Sequence, residues 1–221
     1  MWDGKKKAVT FSFDDGLIYD IRLVALMNKY KVKGTFNISL GLLGTKEVYL
    51  SPQQVKEVYK GHEVAAHAYT HKDLTKCDDE SVIREIEQDR RGLSELVGYE
   101  VVGMAYPYGA FNDRVVNLIQ NHTEIRYART VNQAKGFALQ TDLFRFKPTT
   151  HSNRIEETFS MIDDFLSSTT DEPQLLYIWG HSYEFAWKDF AMTWEKMEEL
   201  LQRIAGRRDI FYGTNKEILR L

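Results

Sequence analysis

Cysteine is nearly absent from this 221-residue chain: Cys77 stands alone, so neither an internal disulfide nor a cysteine-built metal cluster can form. Any metal would have to be held by histidine and carboxylate side chains. Proline is scarce at four residues, and the fourteen glycines are spread along the chain, which leaves no linker or low-complexity segment. No sign of charge dominates either. With 29 Lys and Arg against 32 Asp and Glu, the formal charge of −3 gives no electrostatic reason to expect nucleic acid or an anionic membrane surface. Long hydrophobic runs are missing as well. The longest, such as residues 175–179, fall far short of the ~20 residues that span a bilayer, so no membrane insertion is expected. Met1-Trp2-Asp3-Gly4 before Lys5-Lys6-Lys7 lacks the apolar centre of a signal peptide. The chain therefore reads as cytoplasmic, or as a trimmed secreted or periplasmic domain.

What is present is the composition of a globular protein, 43% hydrophobic and 13% aromatic, long enough for a single domain over residues 1–221. Short β-rich runs at 8–13, 34–38, 63–67, 101–105, 126–129, 143–147, 175–179 and 210–212 alternate with segments of helical period. Helical faces are expected on Ile21, Val24, Ala25 and Asn28; on Val82, Ile86, Leu93 and Leu96; on Ile155, Phe159, Ile162 and Phe165; and on Phe190, Trp194, Met197, Leu201 and Ile204. Ser51-Pro52 reads as an N-cap with proline at the first helical position, and Gly61 and Gly98 as helix stops. Strand–helix alternation implies a mainly parallel α/β sheet, and seven or eight units in this length favour a barrel. Functional side chains then belong at the carboxyl ends of the strands.

Two motifs fall at such ends. Asp14-Asp15-Gly16 closes the first run, and His67-Ala68-Tyr69-Thr70-His71 the third. Each alone is weak: Asp and Gly are common in turns, and a four-residue histidine spacing arises by chance among six histidines. Together, two imidazoles and a carboxylate make a three-ligand site that suits zinc and leaves a position open for water. An ion there lowers the pKa of water towards ~7 and polarises a carbonyl, as a hydrolase requires.

Thr10-Phe11-Ser12-Phe13-Asp14-Asp15-Gly16 resembles the first signature of the polysaccharide deacetylase (NodB-homology, carbohydrate esterase family four-like) family. Gly61-His62-Glu63-Val64-Ala65-Ala66-His67-Ala68-Tyr69-Thr70-His71 resembles the second. The resemblance implies a distorted (β/α) barrel of about seven units. It also implies a divalent ion on Asp15, His67 and His71, with zinc favoured and cobalt, nickel or iron acceptable to the same donors. Asp14 is then the general base, and His62 is not a ligand. Tyr106-Pro107-Tyr108 is similar to the third signature, giving Pro107 and the Tyr108 N–H an oxyanion role. Leu176-Tyr177-Ile178-Trp179-Gly180-His181 is similar to the last, giving His181 the general-acid role and Trp179 the pocket wall.

Two departures stand out. Ala105 occupies the place of an arginine that tunes the base, and Arg129 could supply that guanidinium from the neighbouring strand. The acidic signature that orients the acid histidine has no match, and Glu184 or Asp142 could serve. His151 is a weaker candidate, expected to be structural or peripheral. Trp2, Trp187, Tyr106 and Tyr183 could stack on sugar rings with Trp179 and Tyr108. The implied substrate is an acetylated carbohydrate, N- or O-linked. The competing expectations are hydrolysis of a non-sugar C–N bond on the same fold and a non-catalytic carbohydrate-binding relative.

Overall fold

The computed structural model describes residues 1–169 and 171–221. In chain order its elements are β1 (Lys7–Asp14), α1 (Asp20–Lys29), β2 (Gly34–Ile38), α2 (Pro52–Val58), β3 (Glu63–Ala66), α3 (Asp79–Val97), β4 (Gly103–Ala105) and α4 (Asp113–His122). They continue with β5 (Tyr127–Arg129), β6 (Thr150–His151), α5 (Ile155–Ser167), β7 (Gln174–Gly180), α6 (Trp194–Ile204), β8 (Ile210–Tyr212) and α7 (Asn215–Leu219). None of the described helices is long and apolar enough to cross a membrane.

The paired strands are parallel and, apart from β8, follow the path β5-β4-β3-β2-β1-β7-β6. β1 runs along β7 for most of its length, while its other edge pairs first with β8 (Lys7–Val9 side) and then with β2 (Phe11–Asp14 side). No ladder joins β5 to β6 among the described residues, and the free edge of β5 is met by one bridging residue. Phe146 N–H donates to Ala128 O at 3.0 Å and Phe146 O accepts from Thr130 N–H at 2.9 Å. This is the distorted barrel expected from the sequence, with its strand ladder interrupted at that point.

Three expectations are corrected. Residues 143–147 form no strand; Leu143–Arg145 is a 3₁₀ turn, held by Arg145 Nη1 on Asp142 at 2.9 Å and Nη2 on Asp113 at 2.7 Å. Only Phe146 keeps a bridge to Arg129, and the strand position passes to β6. The buried face of α1 is Leu23, Val24 and Met27, with Ile21 45% exposed. Asp20 is why: its carboxyl faces inward and accepts from Tyr59 OH at 2.6 Å, which turns positions 20, 23, 24 and 27 to the core. Phe190 precedes α6, which starts at Trp194 under a Thr193 cap.

The barrel interior is mixed rather than purely apolar. Tyr127, Tyr177 and Phe146 fill it, and the buried Glu63 accepts from Tyr127 OH, Thr35 Oγ1 and Lys216 N–H, each at 2.9 Å. Gly103 makes this packing possible, because a Cβ there would lie 2.1 Å from Cζ and 2.2 Å from the hydroxyl of Tyr127, a fully buried residue. Gly103→Ala is expected to lower stability by about 1–3 kcal/mol through overpacking. Urea denaturation measures this, and an unchanged midpoint would show that the ring has room to move.

Candidate metal centre and active site

The carboxyl ends of β1, β3, β4, β5 and β7 open into one cavity of about 550 Å³, bordered by Asp14, Asp15, His67, His71, Trp179 and His181 among others. At its floor β1 ends in Asp14. The next two residues adopt left-handed backbone, Asp15 at φ 83° and Gly16 at φ 66°. A side chain at Gly16 would meet Ile38 Cγ2 at 2.8 Å. This turn places the Asp15 carboxylate beside the loop that follows β3.

That loop is shaped by carboxylates from α3. Asp89 accepts from His67 N–H at 2.8 Å and Leu40 N–H at 2.7 Å, and burial pushes it up to about 8 despite those two bonds. Glu85 accepts from Thr70 N–H and Thr70 Oγ1, both at 2.8 Å. Ala68 and His71 take positive φ, 59° and 56°, which reverses the chain between the two histidines. His67 Nδ1 lies 2.8 Å from Ala105 O, so it carries the proton and leaves the Nε2 lone pair facing the carboxylates. Asp15 Oδ1 lies 3.4 Å from His71 Nε2 and 3.8 Å from His67 Nε2. A tetrahedral ion bound at ~2.0–2.2 Å spaces its ligands about 3.3–3.6 Å apart. Donor type, tautomer and spacing therefore fit a divalent ion.

Asp14 is held differently. Arg129 Nη2 and Asn37 Nδ2 donate to its two oxygens, Asn37 at 2.8 Å to Oδ1. His67 Nε2 and His181 Nε2 lie 4.0 and 3.9 Å from Oδ2. Burial disfavours its charge, but Arg129, a protonated His181 and the Asn37 bond act against it and hold the carboxyl below the usual range. Arg129 pairs in register with Ala105 across β5 and β4. The guanidinium thus reaches Asp14 from the strand next to the one that ends in Ala105. Its Cζ sits 4.5 Å from the centre of the Trp179 ring, an arrangement that stabilises the cation face-on.

His181 follows β7, and its Nδ1 lies 3.1 Å from Glu184 Oε1. Burial works against its charged form, yet the Glu184 hydrogen bond and the charges of Asp14, Asp15 and Glu184 raise it above the ordinary imidazole value. Asp142 takes no part, being paired with Arg145 on an exposed turn. Pro107 is buried and opens a 3₁₀ turn; Tyr108 sits in it at φ 58°, 72% exposed, its ring 4.6 Å from that of His71. Gly109 and Ala110 N–H groups return to Tyr106 and Pro107 carbonyls, while the Tyr108 N–H meets no carbonyl acceptor among the described residues.

Other expected residues lie elsewhere. His62 is tied to Gly34 N–H and Asn28 at the far end of β3, both at 3.1 Å. Trp2 is buried against Ile218, to whose carbonyl its Nε1 donates at 3.0 Å. Trp187 is half exposed and packs on Tyr183, whose ring borders the cavity. Sequence reasoning missed Asn37, Asp89 and Glu85. An Asn between Phe36 and Ile38 in the short strand run at 34–38 was the available signal for the first. The α3 carboxylates look like ordinary surface charge on a polar helix until the loop is seen to rest on them.

The description "Polysaccharide deacetylase" belongs to the family model that matches residues 2–128. Peptidoglycan-N-acetylglucosamine deacetylase PgdA of Listeria monocytogenes is 31% identical over 116 residues, 51% of this chain and 24% of that protein. The chain thus spans about a quarter of the length of the curated relatives it matches first. The Streptococcus pyogenes deacetylase PplD, solved in complex with acetate, is 25% identical with a TM-score of 0.55, over 60% of each chain. A solved structure from Mycobacterium smegmatis shares the fold at a TM-score of 0.71 and 16% identity, over 99% of this chain and 90% of that one.

Removing one partner of the buried Arg129–Asp14 pair leaves a charge uncompensated. Arg129→Leu is expected to destabilise by about 3–5 kcal/mol at pH 7. Asp14, no longer held below its usual range, takes up a proton on mild acidification in the variant. The wild-type pair keeps its contribution above the unfolded value and loses it only at lower pH, so the gap should narrow towards pH 4. Denaturation curves at both pH values test this; a gap independent of pH would mean that the loss is one of packing.

Proposed function

Because the chain belongs to the polysaccharide deacetylase family, we propose that it hydrolyses acetyl groups, N- or O-linked, from a carbohydrate with a divalent ion on Asp15, His67 and His71. The observation that carries this reading is the convergence on one cavity of a ligand cluster, an ionised carboxylate and a histidine of raised basicity. The donor set suits zinc best, and cobalt, nickel or iron are compatible with it. When bound, such an ion supplies Lewis acidity, lowering the pKa of water and polarising the acetyl carbonyl.

The chain's own residues do the rest. Asp14, kept ionised by Arg129 and Asn37, accepts the proton of the attacking water. His181, kept protonated by Glu184, delivers a proton to the departing amine or alcohol. The Tyr108 N–H is the donor for the carbonyl oxygen as charge develops there, a contribution of about 2.7–4 kcal/mol in comparable sites. Trp179 and Tyr183 wall the cavity and exclude water from the acetyl side. Arg129 at the register of Ala105 supports a catalytic reading over a purely carbohydrate-binding one, since a binding site has no use for a buried, ionised Asp14.

Acetate release from acetylated chitooligosaccharides, peptidoglycan fragments and acetylated xylan tests the proposal, after chelation and with each metal restored. Release should vanish on chelation and return with metal. Asp14→Asn should keep the metal and lose at least ~10²-fold in turnover, whereas His67→Ala should lose both. Undiminished turnover in Asp14→Asn would sink the base assignment, and activity confined to a non-sugar amide would move the substrate class.

The raised basicity of His181 also fixes the alkaline limb of the rate profile. A general acid works only while protonated, so activity should persist above the ordinary imidazole value of about 6.5. Glu184→Gln, which removes both the hydrogen-bonded carboxylate and its charge, should shift that limb towards lower pH. A limb unmoved by the substitution would remove Glu184 from the acid's environment.

A further inference from the structure

His151 ends β6 outside the cluster described above, on the wall of a second cavity of about 220 Å³ that shares Trp179 with the first. Its ring meets the Trp179 ring edge-on at 4.3 Å. Its Nε2 lies 3.5 Å from Glu184 Oε1, the same oxygen that lies 3.1 Å from His181 Nδ1. Three ligand-type atoms are therefore gathered around one point, at separations close to those of the Asp15, His67 and His71 cluster. Two readings compete: a second ion, or a chain of hydrogen bonds.

Proton direction decides between them. Asn153 N–H donates to His151 Nδ1 at 3.1 Å, so Nδ1 is an acceptor. In the neutral ring the proton then sits on Nε2, the nitrogen that faces Glu184. A protonated nitrogen cannot be a ligand. Moving the proton to Nδ1 would set it against the Asn153 N–H, leaving a half-buried donor unsatisfied. The backbone here gives little freedom to avoid this: His151 O accepts from Arg154 N–H at 2.9 Å and Thr158 Oγ1 at 3.0 Å, and Ser152 N–H donates to Trp179 O at 2.8 Å. Gly180 lets β7 pass this close, since a Cβ there would lie 2.2 Å from Ser152 Oγ.

We propose that His151 is a positioning residue for the acid, its Nε2–H holding Glu184 so that Oε1 receives the His181 Nδ1–H and His181 Nε2 stays aimed at Asp14. This rests on the deacetylase reading above. The two rings divide their roles accordingly. Burial, with His181 and Arg129 nearby, keeps His151 less basic than usual, so it remains a neutral donor while His181 carries the charge. The shared oxygen also adds a second ring to Glu184, which is 5% exposed and whose other contacts, the His181 ring on Oε1 and the His181 backbone N–H on Oε2 at 3.4 Å, both come from the residue it must position.

The experiment compares wild type, His151→Leu and His151→Gln on two substrates: an N-acetylated sugar, whose amine must be protonated to leave, and 4-nitrophenyl acetate, whose phenolate leaves unaided. His151→Leu should lose roughly 10- to 100-fold in kcat on the sugar amide with little change in KM, and less than threefold on the activated ester. His151→Gln, which can restore an N–H to Glu184, should recover most of the loss. Nitrogen-15 spectra of the imidazoles should show His151 protonated at Nε2, and metal analysis of the loaded protein should give one ion per chain. Equal losses on both substrates, no loss in His151→Leu, or a second ion lost with His151 would each overturn the proposal. Wild-type protein inactive on every acetylated sugar would instead overturn the deacetylase reading on which it depends.

Discussion

A carboxylate ionised inside a protein needs compensation from groups that are already in place, and Asp14 sets that requirement for the whole upper end of the barrel. Arg129 and Asn37 come from β5 and β2 and His181 follows β7, so the charge at the end of β1 ties together strands on both sides of it. Arg129 is itself completely buried and keeps two guanidinium nitrogens without hydrogen-bond partners. The Trp179 face is what stands against that cation in place of water. The pair is therefore poor as a source of net stability and effective as a constraint on geometry. The strands must be in register for Asp14 to be tolerated at all.

The same logic recurs one layer out. Asp89 and Glu85 on α3 hold the backbone of the His67–His71 loop, and Glu184 holds His181. In each case a buried or half-buried carboxylate from a nearby element receives N–H groups from the loop that carries the reacting side chain. Loops of this kind would fluctuate if left to backbone bonds alone, and precision at the site is gained by spending acidic residues around it. Burial raises Asp89 while the charges around Asp14 lower it, so chemically identical groups are held in opposite protonation tendencies by environment alone.

Legibility in the sequence followed the locality of the interaction. Asp14-Asp15-Gly16 and His67 to His71 are visible because each places its residues close together in sequence, at the ends of runs rich in strand-forming or apolar residues. Arg129 could be named because it ends the strand after Ala105, yet only the register shows that it reaches Asp14. The face of α1 was misread because Asp20 is polar and inward, and a hydrophobicity pattern has no means of seeing a carboxyl satisfied by Tyr59. Residues 143–147 alternate like a strand, but the Arg145 ion pairs fold them into a turn. His151 was set aside because nothing near it in sequence hints at Glu184, thirty-three positions away.

The threefold pairing of β1 has a consequence in time. β1 is made long before the strands that complete its edges, β7 at Gln174–Gly180 and β8 at Ile210–Tyr212. Trp2 closes over Ile218 in the same way. Such distant pairings incur a large loop-closure entropy before any contact is gained, which places the chain among slow-folding topologies. During synthesis the central strand, largely apolar and without two of its partners, must wait until residues 174–180 and 210–212 have been made. A nascent chain of this design has reason to be held by a chaperone until β7 and β8 emerge.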